Sequence, residues 1–158
     1  MSTNDPLRRA QSAALRLIAY RPRTRKEMAT RLGQKFEPDV VDSVVALLTE
    51  QGYLDDASFA SAWRTSRESN NPKSSWVVQR ELETRGIEVS VANEAVQDMD
   101  DDENAYAAGA KIARRLAKLD PAVFRRRLWA YLNRRGFSSA VTRRTVERLL
   151  QEADEDVD

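Results

Sequence analysis

The chain has 158 residues, of which 41% are apolar and 32% charged, enough to bury a core and too apolar for wholesale disorder. It contains no cysteine and no histidine, which excludes disulfides, thiolate or imidazole metal sites and Ser–His or Cys–His catalysis. Its five glycines form neither a G-x-G-x-x-G nor a phosphate loop, so no catalytic residue, cofactor or metal is expected.

Net charge is +1, but the charges are segregated. Residues 8–35 carry nine basic side chains and one acid, Glu27, and residues 111–148 carry twelve basic side chains and two acids, Asp120 and Glu147. The acids gather in Asp98–Glu103 and in the tail from Glu152 to Asp158. Without histidine, the overall charge changes little between about pH 5 and 8.

Residues 1–9 read as an N-terminal extension and the start of the first helix. Leu7, Ala10, Ala14, Leu17 and Ile18 share one helical face. The apolar run Ala13–Ala19 is short and broken by Arg16, so it suits neither an export signal nor a membrane span. A cytoplasmic protein is expected. Thr24 and Glu27 have the capping-box spacing for a second helix. Pro38 opens a third, whose stripe is Val40, Val41, Val44, Val45 and Leu48.

Gly52 is expected to end that helix, with Tyr53 and Leu54 tucked into the core and Asp55 or Asp56 capping the next. After the linker Ser69–Ser75, a helix ends at Gly86 and Ile87 folds back on it. Val91, Ala95, Val96 and Met99 form the next stripe. Asp100, Asp101, Asp102 and Glu103 read as the start of a helix, where the dipole favours acids, rather than as a magnesium site. Asp120–Pro121 reads as an N-cap and first helical position, with Phe124, Leu128, Tyr131 and Leu132 inward and Arg126 outward. Gly136 and Phe137 repeat the Gly86–Ile87 pattern. Ser138 caps a last helix with the stripe Val141, Thr145, Val146, Leu149 and Leu150. Residues before 7 and after 151 read as frayed tails.

These elements repeat. Leu32, Leu82 and Leu132 are spaced by 50, as are Met28, Val78 and Leu128, and Pro22, Pro72 and Pro121 follow at 50 and 49. Such a period marks stacked supersecondary units that share buried faces. The expected fold is all-α: three tandem three-helix repeats over residues 10–54, 55–99 and 100–151, forming a short curved solenoid, with an acidic tail at 152–158. Trp63, Trp76 and Trp129 are of a type that stacks on bases, but their helical context favours core or inter-repeat packing, Trp76 being the best placed for exposure.

Several of these segments resemble the RecX family of bacterial regulators. Gly52-Tyr53-Leu54-Asp55-Asp56-Ala57-Ser58-Phe59-Ala60 is similar to the family's junction between repeats one and two. The pattern continues to Arg67 and through Gln79–Leu82 and Arg85–Ile87, and upstream Arg21-Pro22-Arg23-Thr24-Arg25-Lys26-Glu27-Met28 resembles its R-P-R-[ST]-x-x-E-[LM] word. The likeness spans about residues 13–150. The first repeat departs from the pattern in lacking the glycine before Phe36, and the second in its linker and in Trp76. The resemblance implies regulation without catalysis: binding to the RecA–single-stranded-DNA filament along its groove and modulation, with inhibition the expected sign, of recombinase activity in recombination and repair.

The residues expected to meet the filament or its nucleic acid are the two basic sets. One is Arg21, Arg23, Arg25, Lys26 and Arg31. The other is Arg125, Arg126, Arg127, Arg134, Arg135, Arg143 and Arg144, a set with almost no balancing acid nearby in the chain. The expected partners are the RecA filament and single-stranded DNA, with no membrane and with the protein itself a monomer. The competing reading is a stand-alone DNA-binding protein whose units act as helix-turn-helix-like readers.

Overall fold

The computed structural model describes residues 5–157. Among the described residues there are nine helices and no strands: α1 (Pro6–Tyr20), α2 (Arg25–Leu32), α3 (Pro38–Glu50), α4 (Asp56–Ser69), α5 (Ser75–Thr84), α6 (Val89–Val96), α7 (Asp101–Leu116), α8 (Pro121–Arg134) and α9 (Ser139–Val157). They fall into three successive sets of three.

The helices start where local chemistry satisfies their free N–H groups. Asp5 caps α1 ahead of Pro6. Thr24 and Glu27 form the full capping box of α2, each side chain bonding the other's backbone N–H. Asp55 caps α4 by accepting from the Ser58 N–H at 3.1 Å. Asp100 caps α7, Asp120 caps α8, and Ser138 accepts from the Val141 N–H at the start of α9.

Two compact units result. One comprises the chain up to Trp63 together with Glu81–Ala95; the other comprises Arg64–Arg80 together with Val96 onward. In the first unit, Ala10, Ala14, Met28, Leu32, Val41, Val44, Leu48 and Leu54 form the core. In the second, α7, α8 and α9 enclose Ala105, Phe124, Leu128, Leu132, Phe137, Val146 and Leu149. The repeat-defining leucines 32, 82 and 132 are all buried, as are Met28, Val78 and Leu128.

Each unit contains the same joint. In the first, the buried Thr24 at the start of α2 donates its hydroxyl to the Arg85 carbonyl at the end of α5, at 2.8 Å. In the second, the buried Ser74 at the start of α5 donates its backbone N–H to the Arg135 carbonyl at the end of α8, at 3.1 Å. The next residue is a left-handed glycine both times, Gly86 (φ 92°) and Gly136 (φ 89°). A Cβ at Gly86 would lie 2.3 Å from the Lys26 stem, and one at Gly136 would lie 2.1 Å from Val77 Cγ2. Glycine is therefore required twice over, by backbone conformation and by close approach.

Four expectations are corrected. Leu7 is 46% exposed and does not join Ala10 and Ala14 in the core. Tyr53 is 55% exposed; Leu54, whose N–H bonds back to the Leu48 carbonyl, takes the core place instead. Met99 lies beyond α6, which ends at Val96. The acidic tail is not frayed as far as it is described, because α9 continues to Val157. There Ala153 packs on the core and Glu152 accepts from the Tyr106 hydroxyl at 2.7 Å. Residues 1–4 and 158 of the two expected tails lie outside the described residues.

Leu82→Ala removes a fully buried side chain and is expected to cost about 2–5 kcal/mol, as are Leu32→Ala and Leu132→Ala. Thermal melts check this. A Leu82→Ala midpoint equal to the parent's contradicts the repeat register.

Candidate functional site

The basic residues occupy two surfaces, one in each unit. In the first, Arg21 is exposed and pairs with Glu27 at 3.5 Å, while Arg85 reaches the same carboxylate at 3.1 Å. Arg23 is half-buried, and its Nε has no hydrogen-bond partner. Burial, with Arg21 close by, holds its guanidinium below the ordinary arginine range. Arg25 stands at the first position of α2, where its backbone N–H bonds Asp56 at 3.0 Å. Arg25 and Lys26 line a shallow depression shared with Asp56 and Glu88, so acids balance them.

Arg31 belongs to a different depression, of about 300 Å³, floored by Ala13, Leu17, Leu32 and Phe36 and rimmed by Arg16, Arg31 and Lys35. No acidic residue lines it. Arg16 and Lys35 were not singled out by the sequence reading, because they lie 19 positions apart. Only the packing of α1 against α2 puts them on one rim.

In the second unit, packing sorts the seven arginines. Arg125 grips Glu147 through two bonds, at 2.9 and 3.3 Å. Arg144 grips Asp102 in the same way, at 3.0 and 3.2 Å. The hydrogen-bonded carboxylates hold both guanidinium groups above their ordinary range, and Arg125 in turn holds Glu147 below the usual carboxylate range. Arg135 is half-buried, lies 4.6 Å over the Tyr131 ring and donates to the Asn71 carbonyl. Arg126, Arg127, Arg134 and Arg143 are exposed and carry no ion pair among the described residues.

The expectation that this basic set lacks balancing acid is thus corrected in part. Asp102 is distant in the chain but stands beside α9 because α7 packs on it. Arg148 joins the same exchange, reaching Glu103 at 3.8 Å and Glu152 at 3.4 Å. These pairs are exposed and add little stability. Their effect is to leave five of the seven chosen arginines, one of them the half-buried Arg135, outside any ion pair among the described residues. Planar guanidinium groups of this kind bind phosphates and carboxylates through paired N–H donors.

The three tryptophans differ. Trp63 stacks on Phe59, donates its Nε1–H to Glu81 at 3.1 Å and lies under Arg85 at 4.1 Å. Trp129 packs against the second core. Trp76 is 65% exposed, with the Arg80 guanidinium 5.5 Å from its ring centroid. Arg80, four positions along α5, was legible as a neighbour from helical spacing alone. No group of three or more acidic residues among the described residues is placed to hold a metal ion. No helix among them is long and apolar enough to cross a membrane.

Three-helix repeats joined end to cap, with arginines on the outside, define a class of helical-repeat proteins. Residues 10–48 match the family model described as "RecX, first three-helix domain", and residues 100–146 match "RecX, third three-helix domain". The chain is 32% identical over 158 residues to the regulatory protein RecX of Streptomyces coelicolor, covering 98% of this chain and 84% of that one. It is 38% identical over 147 residues to the regulatory protein RecX of Mycobacterium ulcerans, covering 89% and 85%. The crystal structure of RecX from Lactobacillus salivarius superposes with a TM-score of 0.79 at 22% identity, over 95% of this chain and 97% of that one, and shares the fold. The chain belongs to the RecX family of regulatory proteins.

Glu27 gives a pH test of the first unit. Burial alone would raise its carboxyl, but the Thr24 N–H, Arg21 and Arg85 together hold it below the usual value. Its folded pKa is depressed, so its stabilisation is complete above the ordinary glutamate value, about 4.3, and is lost as pH falls below that through the folded value. Glu27→Gln keeps the cap geometry and removes the charge. Its melting point is expected to lie below the parent's at pH 7, with the gap closing as pH falls past about 4. A gap that stays constant with pH contradicts the assignment.

Proposed function

We propose that this chain binds the RecA–single-stranded-DNA filament and restrains recombinase activity in the cytoplasm, acting as a monomeric regulator without catalysis or cofactor. The observation that carries this reading is membership of the RecX family over nearly the full chain. The unpaired arginines of the second unit support it physically. A filament presents phosphates and acidic protein groups, and a fork of donors that is not already occupied binds either. We further propose that the working contacts come from Arg126, Arg127, Arg134 and Arg143, with Arg31 in the first unit. In this reading Arg21, Arg23, Arg25, Lys26, Arg125, Arg135 and Arg144 hold the surface in shape.

A strand-exchange or filament ATPase assay, with and without the protein, tests the proposal. Inhibition is expected, and no change at saturating protein overturns it. Replacing Arg126, Arg127 and Arg134 by Ala alters exposed positions, so stability should move by only ~0.5 kcal/mol each. Filament binding and inhibition should fall clearly. If all three contact phosphate, the logarithmic salt dependence should flatten by roughly 2, at about 0.7 per lost single-strand contact. Contacts to protein give weaker binding with a smaller change in slope. A folded triple variant that binds and inhibits like the parent removes this surface from the proposal.

A further inference from the structure

The most exposed tryptophan is carried by a helical turn that abuts the end of α8, which holds Arg134 and Arg135. Trp76 is in the first turn of α5, and its surroundings hold that turn firmly. Ser74 caps it by accepting from the Val77 N–H at 3.1 Å. Ser75 binds Asp101 through both its N–H and its hydroxyl, at 2.9 and 3.1 Å. The same turn abuts the end of α8 through the Ser74 N–H to the Arg135 carbonyl and through Val77 against Gly136. Arg134 and Arg135 occupy that end, and Arg134 is exposed without an ion pair among the described residues.

The ring itself is held from one side. The Arg80 guanidinium lies over it, 5.5 Å from the centroid, within the range in which a cation and an aromatic face attract. With one face so covered, an exposure of 65% leaves the opposite face to solvent. An indole in water that buries neither face in a core has no packing role. A rigid, half-covered aromatic ring beside arginines is instead the arrangement that stacks on unpaired bases while cations neutralise the adjoining phosphates. A paired base in a duplex presents its faces to its neighbours and offers no such surface.

From this geometry we propose that Trp76 is a stacking platform for one unpaired base of single-stranded nucleic acid, with Arg80 fixing the ring and Arg134 meeting the neighbouring phosphate. The inference goes beyond the regulatory reading, because a protein that binds the filament through recombinase alone needs no contact with a base. It therefore predicts affinity for a naked single strand.

The test uses the full chain and three probes of equal length: an oligothymidylate, a strand of abasic deoxyribose phosphates, and a duplex. Tryptophan fluorescence of the parent is expected to be quenched saturably by the oligothymidylate. Binding to the abasic strand should be roughly tenfold weaker or more, the usual worth of one stacked base, and the duplex should not quench. Trp76→Leu should lose the quench and the preference for bases while melting like the parent. Trp76→Phe, which keeps a smaller ring, should keep part of the preference and guards against a fold defect in the leucine variant. Equal affinity for the thymidine and abasic strands overturns the proposal, as does a Trp76→Leu variant that still prefers bases. If the parent binds no naked strand but Trp76→Leu loses inhibition of the filament, base stacking is overturned in favour of a protein anchor. Conversely, a parent that prefers bases but leaves recombinase activity unchanged overturns the regulatory reading and leaves the stacking site standing.

Discussion

Much of the structure hangs on one contact made twice. The residue that caps a second helix, Thr24 or Ser74, is buried to 1% exposure or less against a carbonyl that ends a second helix one repeat later. That carbonyl belongs to the terminal turn, where backbone acceptors otherwise lack partners. One interaction thus satisfies an acceptor at the end of one helix and anchors the start of another. The following left-handed glycine turns the chain out of the way and leaves no Cβ to hold the neighbour off. Ile87 and Phe137 then fold back and are buried at 3% and 2% exposure. Local helix termination and repeat packing are therefore the same event.

This explains which parts of the fold were legible in the chain and which were not. Caps, helix ends and the 50-residue register rest on short-range chemistry, and Thr24, Asp120, Gly86 and Gly136 announce it in one or two residues. The burial of Leu32, Leu82 and Leu132 follows from the register. Tyr53 misled because after Gly52 two apolar residues compete for one site, and Leu54 fills it. The tail misled because acids at a helix C-terminus oppose the dipole. Its partners Tyr106 and Arg148 come from elsewhere in the chain and are invisible to a local reading.

The candidate surface was legible as composition but not as geometry. In the sequence, the acids of Asp98–Glu103 and the arginines of residues 125–148 are separate blocks. Folded, Asp102 and Glu103 lie against α9 and occupy Arg144 and Arg148, while Glu147 occupies Arg125. Arg64 is held likewise by Asp98 and Glu68. A net charge near zero therefore does not describe the surface, and neither does the density of arginine. What an anion meets is the remainder after internal pairing. That remainder depends on helix packing, which no spacing rule supplies.

The joint also has a direction. Repeats one and two offer the buried cap residue, and repeats two and three offer the glycine-terminated helix end. Only the middle repeat carries both halves. The first repeat lacks the glycine before Phe36 and ends α2 at Gly33 in ordinary right-handed geometry. The third begins α8 with the exposed Asp120, which caps its own helix and no other. Within each unit the joint thus runs one way along the chain, from the cap of the earlier repeat to the glycine-ended helix of the later one. A longer array would be built by duplicating the middle unit, whereas a copied terminal unit would end growth wherever it was inserted.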